Sequence, residues 1–444
     1  MRVSVVSRSK RAAALAMLLL LTACGGWFGG TEEEGLPGER IPIMGIEDLL
    51  EADSAIAGLE VELPAPIENT DWAQAGGNEP HLPVHLTLGA QPRQVWRGDV
   101  GEGNSSSAQL LAQPLIVERV VFTMDSRSLV SAFDASSGRR LWRVDLEPGD
   151  EDDGYFGGGL AWAGGRLFVT TGFAQVFALD DANGSVIWQV AAPAPLRAPP
   201  SVASGRVYVV TLDNQLRVLD AETGSTLWSH SGIQEIAGLI GMANPAVSGS
   251  SVIVPYSSGE FFALLAENGR VLWDQSLASS RRTDQTEDIA QVRGLPVIDR
   301  ELVFAIGHSG RMAAIDLRRG ARAWEVEIGG TEMPWVAGEF IFVLTNDQQL
   351  VALTRRDGRI RWVKPLPRFK DPEDLSGPIH WYGPVLAGGR LIVVSSTAVM
   401  KTISPLDGTI LGEQRLPSPA AMTPVVADST LYILTDNGAL LAWR

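Results

Sequence analysis

One spacing recurs along most of this chain and limits what it can fold into. An apolar strand ends in a residue that is often aspartate, glycine follows four positions later, and tryptophan four positions after that. Asp134, Gly138 and Trp142 form the first case, followed by Asp180, Gly184, Trp188 and by Asp220, Gly224, Trp228. Leu265, Gly269, Trp273 keeps the spacing without the aspartate; Asp316, Gly320, Trp324 restores it, and Thr354, Gly358, Trp362 relaxes it again. In a seventh case Ser404 and Gly408 hold the register, but Gly412 stands where tryptophan is expected.

The spacing has a physical reading. A tight hairpin needs a residue at positive φ, which glycine adopts without the strain of a Cβ. An aspartate just before the turn accepts backbone N–H groups within it. The tryptophan then falls on the next strand, where a large flat ring fills the gap between neighbouring sheets. Alternation agrees with strands, since Val207, Val209 and Thr211 face one way and Tyr208 and Val210 the other. Tryptophans 142, 188, 228, 273, 324 and 362 are 46, 40, 45, 51 and 38 residues apart. Four-stranded propeller blades occupy roughly 40–50 residues, and units that expose an apolar face must stack to bury it.

Trp96 lies 46 residues before Trp142, in the same phase. Gln94-Val95-Trp96-Arg97 therefore reads as the last strand of a blade whose first three strands are missing upstream. The C-terminal segments 423–426, 431–434 and 439–443 supply three strands without a fourth. Their pairing closes a ring of eight blades over residues 71–444. Seven blades would require the weak seventh repeat to be absent. A closed ring is expected to hide most strand edges.

The N-terminus reads as an export signal. Arg2, Arg8, Lys10 and Arg11 precede an apolar run from Ala12 to Leu21, too short to span a bilayer comfortably. Leu21-Thr22-Ala23-Cys24 resembles the lipobox of bacterial lipoproteins, in which the cysteine thiol takes the lipid. Cys24 is the chain's only cysteine, so neither an internal disulfide nor a cysteine metal cluster is available. Resemblance also implies the outer membrane, because Gly25 stands where an aspartate would retain a lipoprotein in the inner membrane. Residues 1–23 thus read as a signal peptide and 24–70 as a lipidated flexible tether with scattered prolines and at most one short helix. Loss of the signal leaves 32 basic against 52 acidic groups, a surface that disfavours nucleic acid.

Catalytic patterns are thin. His81 and His85 have helical spacing, but Pro83 lies between them; His230, His308 and His380 are isolated. The acidic run Asp150-Glu151-Asp152-Asp153 has no cage-like spacing and reads as a solvated loop, so no metal site is expected. Gly157-Gly158-Gly159 lacks the basic residue and helix of a phosphate loop.

The Asp-x-x-x-Gly-x-x-x-Trp register, with Asp71-Trp72 and Gly76-Gly77-Asn78 ahead of it, resembles the tryptophan-docking repeats of quinoprotein propellers. Two branches fit. The pyrroloquinoline-quinone dehydrogenases typically carry adjacent cysteines, a calcium site and a catalytic aspartate, and this chain has only Cys24. The non-catalytic BamB family of outer-membrane assembly lipoproteins is similar over the lipobox and residues 71–444. That resemblance implies no enzyme activity, no cofactor, and a location at the outer membrane facing the periplasm. It implies binding to the periplasmic domains of the barrel insertase, alongside other assembly subunits, with nascent outer-membrane proteins as a lower-ranked partner through strand addition. A quinone enzyme and a propeller adaptor of another envelope complex stay open as alternatives.

Long connections from 142 to 159, 228 to 245, 273 to 296 and 362 to 384 crowd one face, where binding usually lives. In the family, two neighbouring loops make the insertase contact. Leu239 and Gly241 match the first, with Ile240 in place of its arginine; Gln291 and Arg293 in the second fall where acidic residues are expected. Ile236, Leu239 and Ile240 have a second reading as residues packed on the blade beneath. Arg281, Arg282, Thr283 and Asp284 read as a solvated loop tip.

Overall fold

The computed structural model describes residues 50–149, 157–235, 239–278 and 291–444. Eight antiparallel sheets of four strands form the blades of a propeller, with one further two-stranded hairpin. Blades 1 to 7 span residues 115–145, 158–191, 201–231, 246–276, 297–326, 335–365 and 381–415. Within each, strands follow from the centre outward in chain order. Blade 8 takes its three inner strands from Val425–Ala427, Thr430–Leu434 and Ala439–Trp443, and its outer strand from Gln94–Asp99, with Trp96 opposite Ala442. The seventh repeat is intact, so the count is eight.

The blades are clamped at seven seams. On each outer strand the indole lies against the turn glycine of the next blade, and its Nε1–H donates to a backbone carbonyl there. Trp96 serves Ala135, Trp142 serves Asp181, Trp188 serves Ala221, Trp228 serves Ala266, Trp273 serves Leu317, Trp324 serves Arg355 and Trp362 serves Pro405, all at 2.8–3.1 Å. The seven turn glycines, from Gly138 to Gly408, hold φ between +68° and +75°, and a Cβ on any of them would fall 2.5–2.9 Å from an indole atom. Glycine is thus required twice, for the turn and for the ring. Aspartate shapes several of these turns: Asp134 Oδ1 accepts the amides of Ser136 and Ser137, and Asp316 those of Arg318 and Arg319.

Gly412 now has a reason. A tryptophan there would dock on the turn between the third and fourth strands of blade 8, but those strands come from opposite ends of the propeller sequence and no turn joins them. The space is a cleft of about 470 Å³ bordered by Pro92, Arg93, Arg390, Met400, Leu411 and Gly412.

Residues 50–70 depart from the expected free tether. Asp53 pairs with Arg359 at 2.7 Å and its N–H donates to Ile360, Leu59 accepts from Arg361, and Val61 is buried. Only Ser54–Ile56 is helical, as a single 3-10 turn. The segment lacks strand periodicity and is held through backbone groups and single side chains, which composition does not reveal. Residues 1–49, with the signal, Cys24 and the start of the tether, lie outside the described residues, as do Asp150–Asp153, Ile236 and Arg281–Asp284.

Residues 69–88 then run once round the inner strands on the turn face, the one that carries the turns between the first and second and between the third and fourth strands of each blade. Asn69 bonds Val426 and Asp428 of blade 8, Trp72 pairs with Ile116 of blade 1, and Gln74 reaches Ala161 of blade 2 and Val202 of blade 3. Glu79 accepts from Val247 of blade 4, Pro80 from Ile298 of blade 5, Val84 from Trp335 of blade 6, and Leu86 joins Leu386 and Gly388 of blade 7. The plug therefore touches every blade in order and satisfies backbone groups of the inner strands that have no neighbour on their channel side.

Closure does not hide the outer edges. Each blade ends in a strand with one unpaired side, and Leu141, Ile187, Leu227, Leu272 and Leu411 on these strands are exposed. The expectation that the ring conceals most edges fails because blades join through side-chain packing, not strand pairing.

Trp324→Ala should destabilise the protein by about 3–5 kcal/mol, the usual cost of deleting a core aromatic. Gly358→Ala attacks the same seam, and the double variant should cost less than the two changes summed. Chemical denaturation of the four proteins measures this; additive effects would show that indole and glycine do not act as one clamp.

Candidate functional site

The plug closes the channel on the turn face and leaves it open on the opposite face, where the long inter-blade connections lie. Between them is a funnel with a cavity of about 120 Å³. Trp72 and Trp335 are among its lining residues, with Leu110, Leu111, Leu295, Met242, Met333 and Met422 as apolar wall. Gly77 lets the plug fold tightly over Trp72, since a Cβ there would sit 3.1 Å from the benzo edge of the indole.

Arg197, Arg293, Glu332 and Tyr382 bring polarity into this funnel. Glu332 accepts the Thr423 hydroxyl and the Gly383 N–H. Its carboxyl touches the cavity but is otherwise surrounded by protein, and that desolvation pushes its pKa up against the opposing pull of Arg293. Burial likewise raises the Tyr382 phenol, with the Glu332 charge adding to it. Arg197 is lowered by desolvation. The Trp72 Nε1–H is buried without an acceptor.

The expected contact residues divide. Ile240 is exposed and Leu239 half-buried at the funnel mouth. Gln291 is buried; its Oε1 accepts the Leu239 N–H and its Nε2 donates to the Gly241 carbonyl at 2.7 Å. The two loops are thus bolted together by Gln291, which is an internal brace and not a surface contact. Gly241 is buried at φ +84°, and Arg293 lies beside it and lines the funnel. A groove of about 650 Å³ adjoins Leu239, lined also by Leu212, Met242 and Gln234, with Ile233 exposed nearby. Trp72 was legible as part of a motif, but Arg197, Glu332 and Tyr382 carried no sequence signal that separates them from other polar residues.

The histidines of the plug are structural. His81 Nδ1 donates to the Pro296 carbonyl at 2.8 Å and Nε2 accepts from Asn244. His85 is held the same way between Pro64 and Gly389. Among the described residues no group of His, Cys, Asp and Glu is placed to hold a metal ion, and no helix is long and apolar enough to cross a membrane. The enclosed part of the funnel, about 120 Å³, is smaller than the roughly 300–1,000 Å³ of pockets that enclose drug-sized ligands.

Burial holds the His81 pKa at about 4. A histidine neutral when folded but protonated when unfolded contributes stability above pH 6.5 that is lost as pH falls towards 4. The stability lost this way reaches about 3 kcal/mol near pH 4. Stability measured from pH 7 to 4 should therefore fall less steeply in His81→Gln than in the unsubstituted protein; equal slopes would contradict the buried neutral ring.

The profile of a family described as outer membrane protein assembly factor BamB matches residues 126–364. The BamB of Salmonella typhimurium is 32% identical over 361 residues, covering 79% of this chain and 88% of that protein. The BamB of Escherichia coli is 33% identical over 359 residues, covering 79% and 88%. Among solved structures, BamB from Moraxella catarrhalis aligns with a TM-score of 0.65 at 20% identity, covering 80% of this chain and 98% of that one. A europium-containing methanol dehydrogenase aligns with a TM-score of 0.66 at 14% identity, covering 82% and 89%, a likeness of fold alone. Matched by that profile over more than half its length and by relatives over most of theirs, the chain belongs to the BamB family of outer membrane protein assembly factors.

Proposed function

We propose that this protein is a lipid-anchored, non-enzymatic scaffold of the outer-membrane β-barrel assembly machinery. Its loop face binds the periplasmic domains of the insertase and so aids assembly and insertion of barrel proteins. The observation that carries the reading is the platform at the funnel mouth. Two neighbouring loops are locked by Gln291, and they present exposed Ile240 beside half-buried Leu239 and a groove large enough for partner side chains. A rigid apolar patch rimmed by polar residues is the usual form of a protein contact. The opposite face is covered by the plug and by residues 50–70, which supports the loop face as the partner side.

In this reading Cys24 carries the lipid, residues 25–49 tether the propeller to the outer membrane, and the protein faces the periplasm. Arg293 contributes by packing beside Gly241 and setting the charge of the funnel mouth. Gln291 contributes by holding the loops in register. Family membership and the size of the funnel both weigh against a quinone dehydrogenase.

Mild-detergent purification of the mature lipoprotein should recover the insertase. Ile240→Asp should weaken that association by about 2 kcal/mol or more, near 30-fold, while Leu411→Asp on an outer edge should not. Retention of the insertase by Ile240→Asp, or recovery of a different complex, would overturn the assignment. Cys24→Ala should leave the protein soluble after cell lysis; a variant still in the membrane fraction after a salt wash would contradict the lipid anchor.

A further inference from the structure

Gly412 is a glycine that the fold does not require. Its φ lies outside the left-handed region, and a Cβ built on it meets only the Thr402 hydroxyl, at 3.1 Å. The seven turn glycines, in contrast, each meet an indole. Gly412 stands beside a bulge, yet the same bulge in blades 1 to 6 has tryptophan at this position. The missing turn of blade 8 explains why no tryptophan is needed here, but not why the residue has no side chain at all. Glycine inside a strand weakens it, and often marks a place where a ligand or another backbone comes close.

Strand Ile410–Arg415 is the free edge of blade 7. Thr402 pairs with Gly412 and Met400 with Gln414, and all four line the cleft of about 470 Å³. The cleft therefore lies over the face that a tryptophan at 412 would cover. Leu411, 57% exposed, borders it from the edge side. Arg93 and Arg390 supply its charge. Arg93 is exposed, Arg390 donates to the neutral carbonyl of Gly89, and the lining carboxylate, Glu413, is already matched by Lys401 at 2.6 Å. The slot is apolar where a ring would lie and cationic at its rim.

We infer that the edge of blade 7 takes up an extended polypeptide segment by strand addition, with an aromatic side chain opposite Gly412 and a carboxylate two residues away, on the same face, directed to Arg93 and Arg390. Edge backbone groups supply affinity in such pairing, and alternate side chains supply specificity. An aromatic residue opposite a strand glycine covers it and replaces the packing that the glycine lacks. Blades 1 to 6 offer no such place, because their own tryptophan covers that face. The occupant is an unfolded client of the assembly machinery, an assignment that rests on the proposed function. Barrel strands alternate in polarity and carry aromatic girdles, so they present this chemistry.

The test titrates a fluorescein-labelled peptide, Thr-Val-Thr-Trp-Thr-Glu-Thr-Val, with the full lipoprotein in detergent and reads anisotropy. Binding should saturate. It should weaken about tenfold or more when the peptide's tryptophan becomes alanine, when the threonine after it becomes proline, or when Gly412→Val fills the slot. Arg93→Gln with Arg390→Gln should weaken the same peptide, but not one with glutamine in place of its glutamate. Leu411→Asp, at an exposed position, repeats the test if Gly412→Val lowers the melting temperature. Absence of saturable binding, or binding indifferent to the peptide's tryptophan or to the substitutions at 411 and 412, would overturn the site. A urea-unfolded outer-membrane barrel protein diluted into the assay should displace the peptide, and failure to do so would overturn the client assignment. A doubling of the lipoprotein's mass that Leu411→Asp abolishes would assign the edge to a second copy instead. Insertase recovery is expected to survive Leu411→Asp, so failure of this site is distinct from failure of the scaffold.

Discussion

The interaction on which this structure depends is an indole laid on a glycine turn. Each outer-strand tryptophan reaches across a seam, covers the glycine of the next blade and donates to a carbonyl in that turn. Sheets that meet through side chains need a flat, large and oriented filler, and indole supplies all three. An aromatic residue of its own blade backs the ring in most blades, as Phe342 does for Trp362 at a centroid distance of 6.0 Å. Because the clamp recurs at nearly constant geometry, it sets the angle between neighbouring blades and therefore how many close the ring.

Ring closure is handled differently. The seam after blade 7 has no turn to receive an indole, and it has Gly412 in place of tryptophan. Closure there rests on the strand Gln94–Asp99 completing blade 8 and on the plug, which ties blades 7, 8 and 1 at the centre through Leu86, Asn69 and Trp72. One segment thus finishes the ring, seals one face and builds the floor of the funnel on the other. The asymmetry between a covered turn face and an open loop face is what the proposed function builds on.

Much of the fold was legible because glycine and tryptophan answer to local rules. A turn at positive φ and a ring filling a gap leave fixed spacings, and the split blade showed as Trp96 in phase with the repeats. Residues 50–70 and the plug were not legible, since Asp53, Leu59 and Asn69 act through single contacts with distant residues and obey no period. The candidate site was legible in part. Loop length pointed to the face that holds the funnel, and Ile240 is exposed there. Burial of Gln291 reversed its expected role, because one sequence does not distinguish a surface amide from one satisfied between two loops. The charge in the funnel was hidden for a related reason: Arg293 and Glu332 come from successive inter-blade connections and meet only when neighbouring blades stack.

In the proposed function the loop face, not the turn face or the outer edges, is the side that meets the assembly machinery. Amide hydrogen exchange of the full lipoprotein, with and without the insertase's periplasmic domains, tests it directly. Slowed exchange concentrated at residues 239–243 and 291–295, with the outer strands and residues 50–70 unchanged, is the predicted result. Protection confined to the outer strands or to the turn face would contradict it.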